Sequence, residues 1–146
     1  MKNPKLSTAN FERRAFVYVR QSSAMQVHEN VESKQRQYAL VERALALGWN
    51  RADVEVIDED QAKSGASASE RTGFIRLADA VARGEAGAIL ALEVSRLARS
   101  STDWQRLLSL CAVAGVAVMD EQAVYDPADH NDRLLLDIKG TMSEAE

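Results

Sequence analysis

Short apolar segments alternate with longer amphipathic segments along this chain, and the alternation restricts its fold more than any other feature. The short segments are predicted to be strands, at residues 14–19, 54–57, 88–94 and 116–119. The longer segments are predicted to be helices, at residues 32–47, 72–83, 103–114 and 131–146. Such alternation is typical of a mainly parallel sheet with helices on both faces. We therefore predict an α/β domain with four or five strands.

The apolar residues of each predicted helix recur on one side, which should face the sheet. In the first helix the residues predicted to point inward are Tyr38, Val41, Ala44 and Leu45. In the second helix they are Phe74, Leu77, Ala78 and Val81. In the third helix they are Trp104, Leu107, Leu108 and Cys111. Gly48 and Gly84 are expected to end the first two helices.

The last predicted helix carries an apolar stripe, but no further element follows for the stripe to pack on. Its members are Leu134, Leu135, Ile138 and Met142. The helix either docks on its own domain or continues beyond residue 146 into an oligomer interface. The sequence leaves both interpretations open.

Composition narrows the class of protein. The 146 residues are enough for one domain, and an apolar share of 46% supports a packed core. The apolar runs are shorter than a membrane helix needs, and the polar first ten residues do not resemble a secretion signal. With a single cysteine, a cytoplasmic location is expected. The net charge of −4 argues against a domain that binds nucleic acid by itself.

Polar and basic side chains follow two of the predicted strands. The first strand is followed by Arg20 and Ser22, and the third by Arg96 and Arg99. Ends of strands in α/β sheets are where such folds place their sites. Arginine side chains match the geometry of phosphate groups. A serine hydroxyl beside several guanidinium groups is suited to chemistry on a phosphodiester without a metal.

Each of these features also has an ordinary structural explanation. Ser22 could cap a helix or form a turn, and Arg96 and Arg99 could belong to a solvated basic turn. The acidic residues 58–60 favour a solvated loop over a metal site, because no Cys/His cluster accompanies them. The glycine patterns of nucleotide-binding loops are absent from the sequence. We therefore expect neither a metal nor a nucleotide cofactor.

An ordered set of short motifs resembles the catalytic domain of serine recombinases, the resolvase/invertase group, and especially the large serine recombinases of mobile elements. The set covers nearly all of the chain from residue 13 onward. The motifs are Tyr18 to Ser23, Asp60 with Ser64 and Gly65, Glu70 to Phe74, Ser95 to Ser100, and Lys139 to Glu146. Each motif is weak alone, but their order along the chain is specific.

The resemblance implies a role for each matched residue. Ser22 would attack a DNA phosphodiester and become linked to the 5′ phosphate. The phosphate would be surrounded by Arg20, Arg96 and Arg99, with Arg71 assisting. The supporting positions would be Tyr18, Asp60, Ser64 and, on the last helix, Glu146. One position departs from the pattern, because Ser95 stands where many family members have Asp before the first arginine.

The resemblance also implies an organisation and partners. Residues 1–12 would be a flexible segment, 13–130 the catalytic domain, and 131–146 the start of a long oligomerisation helix. The chain would form a homodimer, and a tetramer when two DNA sites are paired, through that helix. DNA would be held mainly by segments beyond the helix, so the isolated domain would be inactive alone, and no membrane would be involved. The alternative is a non-catalytic α/β module that binds anions or mediates oligomerisation.

Overall fold

Five strands form one sheet in the order β2-β1-β3-β4-β5. The structure, a computed structural model, describes residues 6–18, 30–57, 72–91, 101–121 and 123–145. The strands are β1 (Arg14–Tyr18), β2 (Val54–Ile57), β3 (Ala86–Leu90), β4 (Ala117–Met119) and β5 (Val124–Tyr125). The pairs among the first four are parallel, and β5 runs antiparallel to β4. The predicted mainly parallel sheet is confirmed. The sequence did not locate β5, because two residues are too few to show a strand pattern.

The described α-helices are α1 (Thr8–Phe11), α2 (Asn30–Leu47), α3 (Thr72–Ala82), α4 (Ser101–Ala114) and α5 (His130–Ala145). Four of them lie close to their predicted positions, and α1 was not predicted. Gly84 follows α3 with a φ of 76°, a left-handed conformation that favours glycine and ends the helix. The third strand begins and ends earlier than predicted, and its predicted residues 92–94 lie outside the described ones.

Side chains of the strands point alternately into two separate cores, one on each face of the sheet. Ala15 and Val17 of β1 belong to the core beneath α1 and α2. Phe16 and Tyr18 belong to the core beneath α3, α4 and α5. Helices therefore cover both faces of the sheet, as predicted.

The prediction of which side of α2 faces the sheet is partly wrong. Tyr38 is 71% exposed, whereas Leu40 and Ala44 are fully buried. Positions two apart lie about 200° apart around a helix, so burial of Leu40 turns Tyr38 outward. The spacing of Tyr38, Val41 and Leu45 suits a helix equally well, and only the position of the sheet decides between the two stripes.

Residues 6–13, here called the amino-terminal cap, close the amino end of the sheet. The side-chain amide of Asn10 donates to the carbonyl oxygens of Gly87, at 2.8 Å, and Gly115, at 3.0 Å. Its own oxygen accepts a hydrogen bond from the backbone N–H of Ser7 at 2.8 Å. A Cβ at Gly87 would lie 2.0 Å from the backbone oxygen of Asn10, so the cap fits only over a glycine.

Two further side chains fasten the cap. The guanidinium of Arg13 donates to the carbonyl oxygens of Ala114 and Gly115 at the end of α4. The indole N–H of buried Trp49 donates to the carbonyl of Arg13 at 2.9 Å, and its ring packs on Phe11. This packing of residues 6–12 differs from the flexible segment expected for residues 1–12.

One edge of the sheet carries a charge at its centre. Glu55 lies in the middle of edge strand β2 and accepts a hydrogen bond from Arg14 at 3.0 Å. Arg76 of α3 forms an ion pair with the same carboxylate. The arrangement ties the edge strand to β1 and to α3.

Candidate active site at the carboxyl edge of the sheet

The carboxyl ends of β2, β1 and β3 lie side by side. Tyr18, the last residue of β1, is in register with Ile57, the last residue of β2. Val17 is in register with Leu90, the last residue of β3. Adjacent strands are about 4.8 Å apart, so these three strand ends are neighbours.

The order of the strands reverses direction at β1 and β3. From β1 the chain passes through α2, on one face, to β2. From β3 it passes through α4, on the other face, to β4 on the opposite side. The connections thus diverge between β1 and β3, and in open α/β sheets this arrangement forms a crevice outside the carboxyl ends of the strands. Ligands of open α/β sheets bind in such crevices.

Most of the predicted site residues lie outside the described residues. They are Arg20, Ser22, Asp60, Ser64, Arg71, Arg96, Arg99 and Glu146, together with Ser95. Their places in the chain are nevertheless informative, because the segments 19–29, 58–71 and 92–100 begin after β1, after β2 and just after β3. All three motif-bearing segments therefore begin at the carboxyl end of the sheet.

Tyr18 is the predicted site residue that the structure does describe. It is buried and belongs to the core beneath α3, α4 and α5. It also ends β1, two residues before Arg20. Its position at the point where the chain leaves the sheet agrees with a supporting role, which stays a prediction.

A buried hydrogen bond joins α4 to α5. The indole N–H of Trp104, in the first turn of α4, donates to the carbonyl oxygen of Leu136 at 2.9 Å. Both side chains are buried in the same core. Sequence reasoning placed Trp104 correctly in the core but missed Leu136. A buried indole needs an acceptor, which signals a contact but not the identity of the carbonyl.

Polar side chains near the surface add to the junction of α4 and α5. The Gln105 amide donates to Asp137 at 2.6 Å, and its oxygen accepts from Arg133 at 3.0 Å. Arg133 also donates to the hydroxyl of Ser109 at 3.2 Å. These bonds are exposed to solvent and individually weak, but they favour the same orientation of α5 as the buried bond does.

The outer face of α5 is apolar. Leu134, Leu135 and Ile138 are each about half exposed, while Leu136 is fully buried. The helix therefore docks on its own domain through Leu136 and leaves most of the predicted stripe uncovered. Met142, the fourth member of that stripe, belongs to a part of α5 whose side chains lie outside the described ones.

Cys111 lies fully buried on α4. Burial raises the pKa of its thiol from 9.0 to about 12, and the charge of Arg133 opposes the rise only in part. A protonated thiol is a poor nucleophile, so the structure gives Cys111 a packing role.

The described residues contain neither a candidate metal centre nor a membrane-spanning helix. Within these ranges, no three histidine, cysteine or acidic side chains come together in a way that would hold a metal ion. The helices in the same ranges are not both long and apolar enough to cross a bilayer.

Comparisons with solved structures give the fold independently. The chain is similar to the N-terminal catalytic domain of TP901-1 integrase, with a TM-score of 0.61 and 22% identity, covering 91% of this chain and 96% of that one. It is similar to a resolvase family site-specific recombinase from Streptococcus pneumoniae, with a TM-score of 0.56 and 20% identity, covering 91% and 87%. The catalytic domain of ISC1926 TnpA, an IS607-like serine recombinase, matches with a TM-score of 0.56 and 19% identity, covering 88% and 97%.

Comparison of sequences identifies a relative and a family. The chain is 57% identical over 142 residues to the uncharacterized protein y4bA/y4pH of Sinorhizobium fredii (strain NBRC 101917 / NGR234). The match covers 97% of this chain and 20% of that protein, so the chain spans about a fifth of its relative's length. The model of the resolvase N-terminal domain matches residues 15–146. The resemblance drawn from the motifs is thus confirmed, and the chain belongs to the resolvase N-terminal domain family.

Proposed function

We propose that this chain is the catalytic domain of a site-specific DNA recombinase in which Ser22 is the nucleophile. The observation that carries the proposal is that β2, β1 and β3 end side by side, at the point where the strand order reverses. Arg20 is two residues from the end of β1, at most about 7 Å of extended chain. Ser22 follows two residues later. This short distance supports a place for the serine and its first arginine at the carboxyl end of the sheet, where α/β sheets bind ligands.

The other arginines enter the same edge from neighbouring elements. Arg71 immediately precedes α3, and Arg99 precedes α4 by two residues. Both helices follow strand ends at this edge, so their first turns point positive partial charge toward the crevice. In the proposal, Arg20, Arg96 and Arg99 surround one phosphate, while Arg71 assists and Asp60 and Ser64 support the site.

The proposed cleavage step balances without a cofactor. The hydroxyl oxygen of Ser22 bonds to phosphorus, and its proton passes to a base. The bond from phosphorus to the 3′ oxygen of the DNA breaks, and that oxygen takes up a proton as it leaves. The 5′ phosphate remains on Ser22 as a diester, which preserves the energy for rejoining by the reverse step.

Guanidinium groups suit this reaction because charge accumulates on the equatorial oxygens of phosphorus in the transition state. Preorganised donors stabilise that charge where it develops. A nearby positive charge also lowers the pKa of a hydroxyl and so eases its deprotonation. The acidic chain offers few contacts for binding DNA, so binding itself is assigned to other parts of the full-length protein.

The direct test is capture of the covalent intermediate on a nicked suicide substrate of DNA. The full-length protein should form an adduct that Ser22→Ala abolishes while DNA binding stays nearly unchanged. Ser23→Ala is the matched control, because it removes a hydroxyl from the adjacent residue and should leave the adduct. An adduct that survives Ser22→Ala, or one that depends on Ser23, would overturn the assignment.

A second candidate function is self-association without chemistry, and the exposed apolar face of α5 favours it. Sedimentation would show whether Ile138→Asp and Met142→Asp dissociate the protein. A tight dimer that survives both changes would mean that this face is not the interface. A non-catalytic module is also distinguished by the suicide substrate, since it would form no adduct.

A further inference from the structure

We propose that Trp104 is a positioning residue, which couples the orientation of α5 to the start of α4 and thereby to cleavage by Ser22. The inference rests on the proposed function. Trp104 is buried and is not one of the reacting groups, so its effect is on the rate of reaction and not on the binding of DNA.

The hydrogen bond of Trp104 lies at the beginning of α4. Trp104 lies in the first turn of this helix, which begins at Ser101 and so follows Arg99 by two residues. Its indole N–H reaches the carbonyl of Leu136, 32 residues away, at 2.9 Å in the buried core. A displacement of α5 therefore acts on the turn of α4 that follows the serine–arginine motif.

On α5, the acceptor of this bond lies opposite the exposed apolar face. Leu136 is fully buried, and its neighbours Leu134, Leu135 and Ile138 are exposed on the other side of the same two turns. Whatever covers this apolar face touches the turns that hold the acceptor of the indole. The bond thus lies between a surface that is open to a partner and the beginning of α4.

The bond from Trp104 to Leu136 is directional. Apolar packing of the ring alone tolerates sliding, whereas an N–H bonded to a carbonyl is restricted in distance and angle. The exposed bonds of Gln105 with Arg133 and Asp137 favour the same orientation, but solvent competes for them. Trp104 consequently restricts how far α5 can slide along the axis of α4.

The chain supplies a matched control in its other tryptophan. Trp49 is as buried as Trp104, at 3% exposure, and its indole N–H also donates to a backbone carbonyl at 2.9 Å. It fastens the amino-terminal cap at the opposite end of the sheet, far from the proposed site. Trp→Phe at either position removes one N–H donor and keeps an aromatic ring.

The test compares Trp104→Phe with Trp49→Phe in the full-length protein. Both thermal stability and single-turnover adduct formation on the suicide substrate are measured, the latter well below the melting temperatures. Both variants should lose similar stability and keep their Kd for DNA. Trp104→Phe should form the adduct about tenfold more slowly, since small misplacements of catalytic groups slow reactions strongly. Trp49→Phe should keep the rate within about twofold of the unmodified protein.

The outcomes separate the two proposals. Equal rates for the two variants, whether both normal or both reduced, would overturn the role of Trp104 and leave the proposed function standing. Failure of the unmodified protein to form any adduct would overturn the proposed function, and the role of Trp104 with it. A reduced rate accompanied by an equal loss of DNA affinity would also overturn the positioning role.

Discussion

The two ends of the sheet differ in how they are closed. At the amino end, the cap is held by side-chain bonds to backbone carbonyls from Asn10, Arg13 and Trp49. At the carboxyl end, three neighbouring strands release the long connections 19–29, 58–71 and 92–100. The closure at the amino end is tightly packed, whereas the three segments that carry the predicted motifs begin at the carboxyl end. Substitutions at the two ends should therefore affect different measurements.

The largest expected effect is on cleavage, from the carboxyl end. Arg96→Ala should slow adduct formation about a hundredfold, because it removes roughly 3 kcal/mol of transition-state stabilisation. Single-turnover cleavage of the suicide substrate measures the rate. Arg106→Ala removes an exposed arginine from the side of α4 and is the control, expected to react normally. Equal loss in both variants would indicate a general effect of charge and not a phosphate site.

The next effect is on stability, from the amino end. Gly87→Ala should lower the free energy of unfolding by about 3 kcal/mol, because the new Cβ would overlap the backbone of Asn10 and displace the cap. Chemical denaturation measures the loss. The exposed neighbour Glu85→Ala should change stability by less than about 0.5 kcal/mol. A stable Gly87→Ala protein would show that the cap does not lie over β3 as described.

A smaller loss is expected from Asn10→Ala, about 2 kcal/mol, because it leaves the carbonyl oxygens of Gly87 and Gly115 without this donor. Asn131→Ala, at an exposed position of α5, is the matched control and should be nearly neutral. The rate of adduct formation per folded molecule should stay normal in both. A slow but fully folded Asn10→Ala protein would contradict the separation of the two ends.

The smallest effect, taken over one pH unit, is a dependence of stability on alkaline pH. Burial raises the pKa of Cys111 to about 12, so above pH 9 the unfolded chain releases a proton that the folded chain retains. Stability should therefore fall as the pH rises from about 9 toward 12, by about 1 kcal/mol between pH 9 and 10. Cys111→Ala should lower stability at pH 7 but lack this part of the decline. Parallel curves for the two proteins would disprove the shift.

Much of the fold was predictable because its signals are local. The spacing of apolar residues located the four parallel strands and their helices, and Gly48 and Gly84 marked helix ends. Contacts between distant residues were not predictable in this way. The acceptors of Asn10 lie 77 and 105 residues along the chain, and nothing near Asn10 identifies them.

The candidate site divides along the same line. The direction of the motif-bearing segments follows from strand order, which the alternation of elements predicts as a class but not in detail. The roles of Ser22 and the arginines remain predictions from motifs, supported by family membership. The sequence does not predict the bond from Trp104 to Leu136, because many backbone carbonyls could accept a hydrogen bond from a buried indole.

The charged edge strand has a consequence for aggregation. An exposed strand edge can recruit further strands and start open-ended stacking, and this sheet has β2 and the two-residue β5 as its edges. The carboxylate of Glu55, paired with Arg14 and Arg76, places charges on the longer edge, where an incoming strand would have to desolvate them. Strand-by-strand growth from this edge is thereby disfavoured.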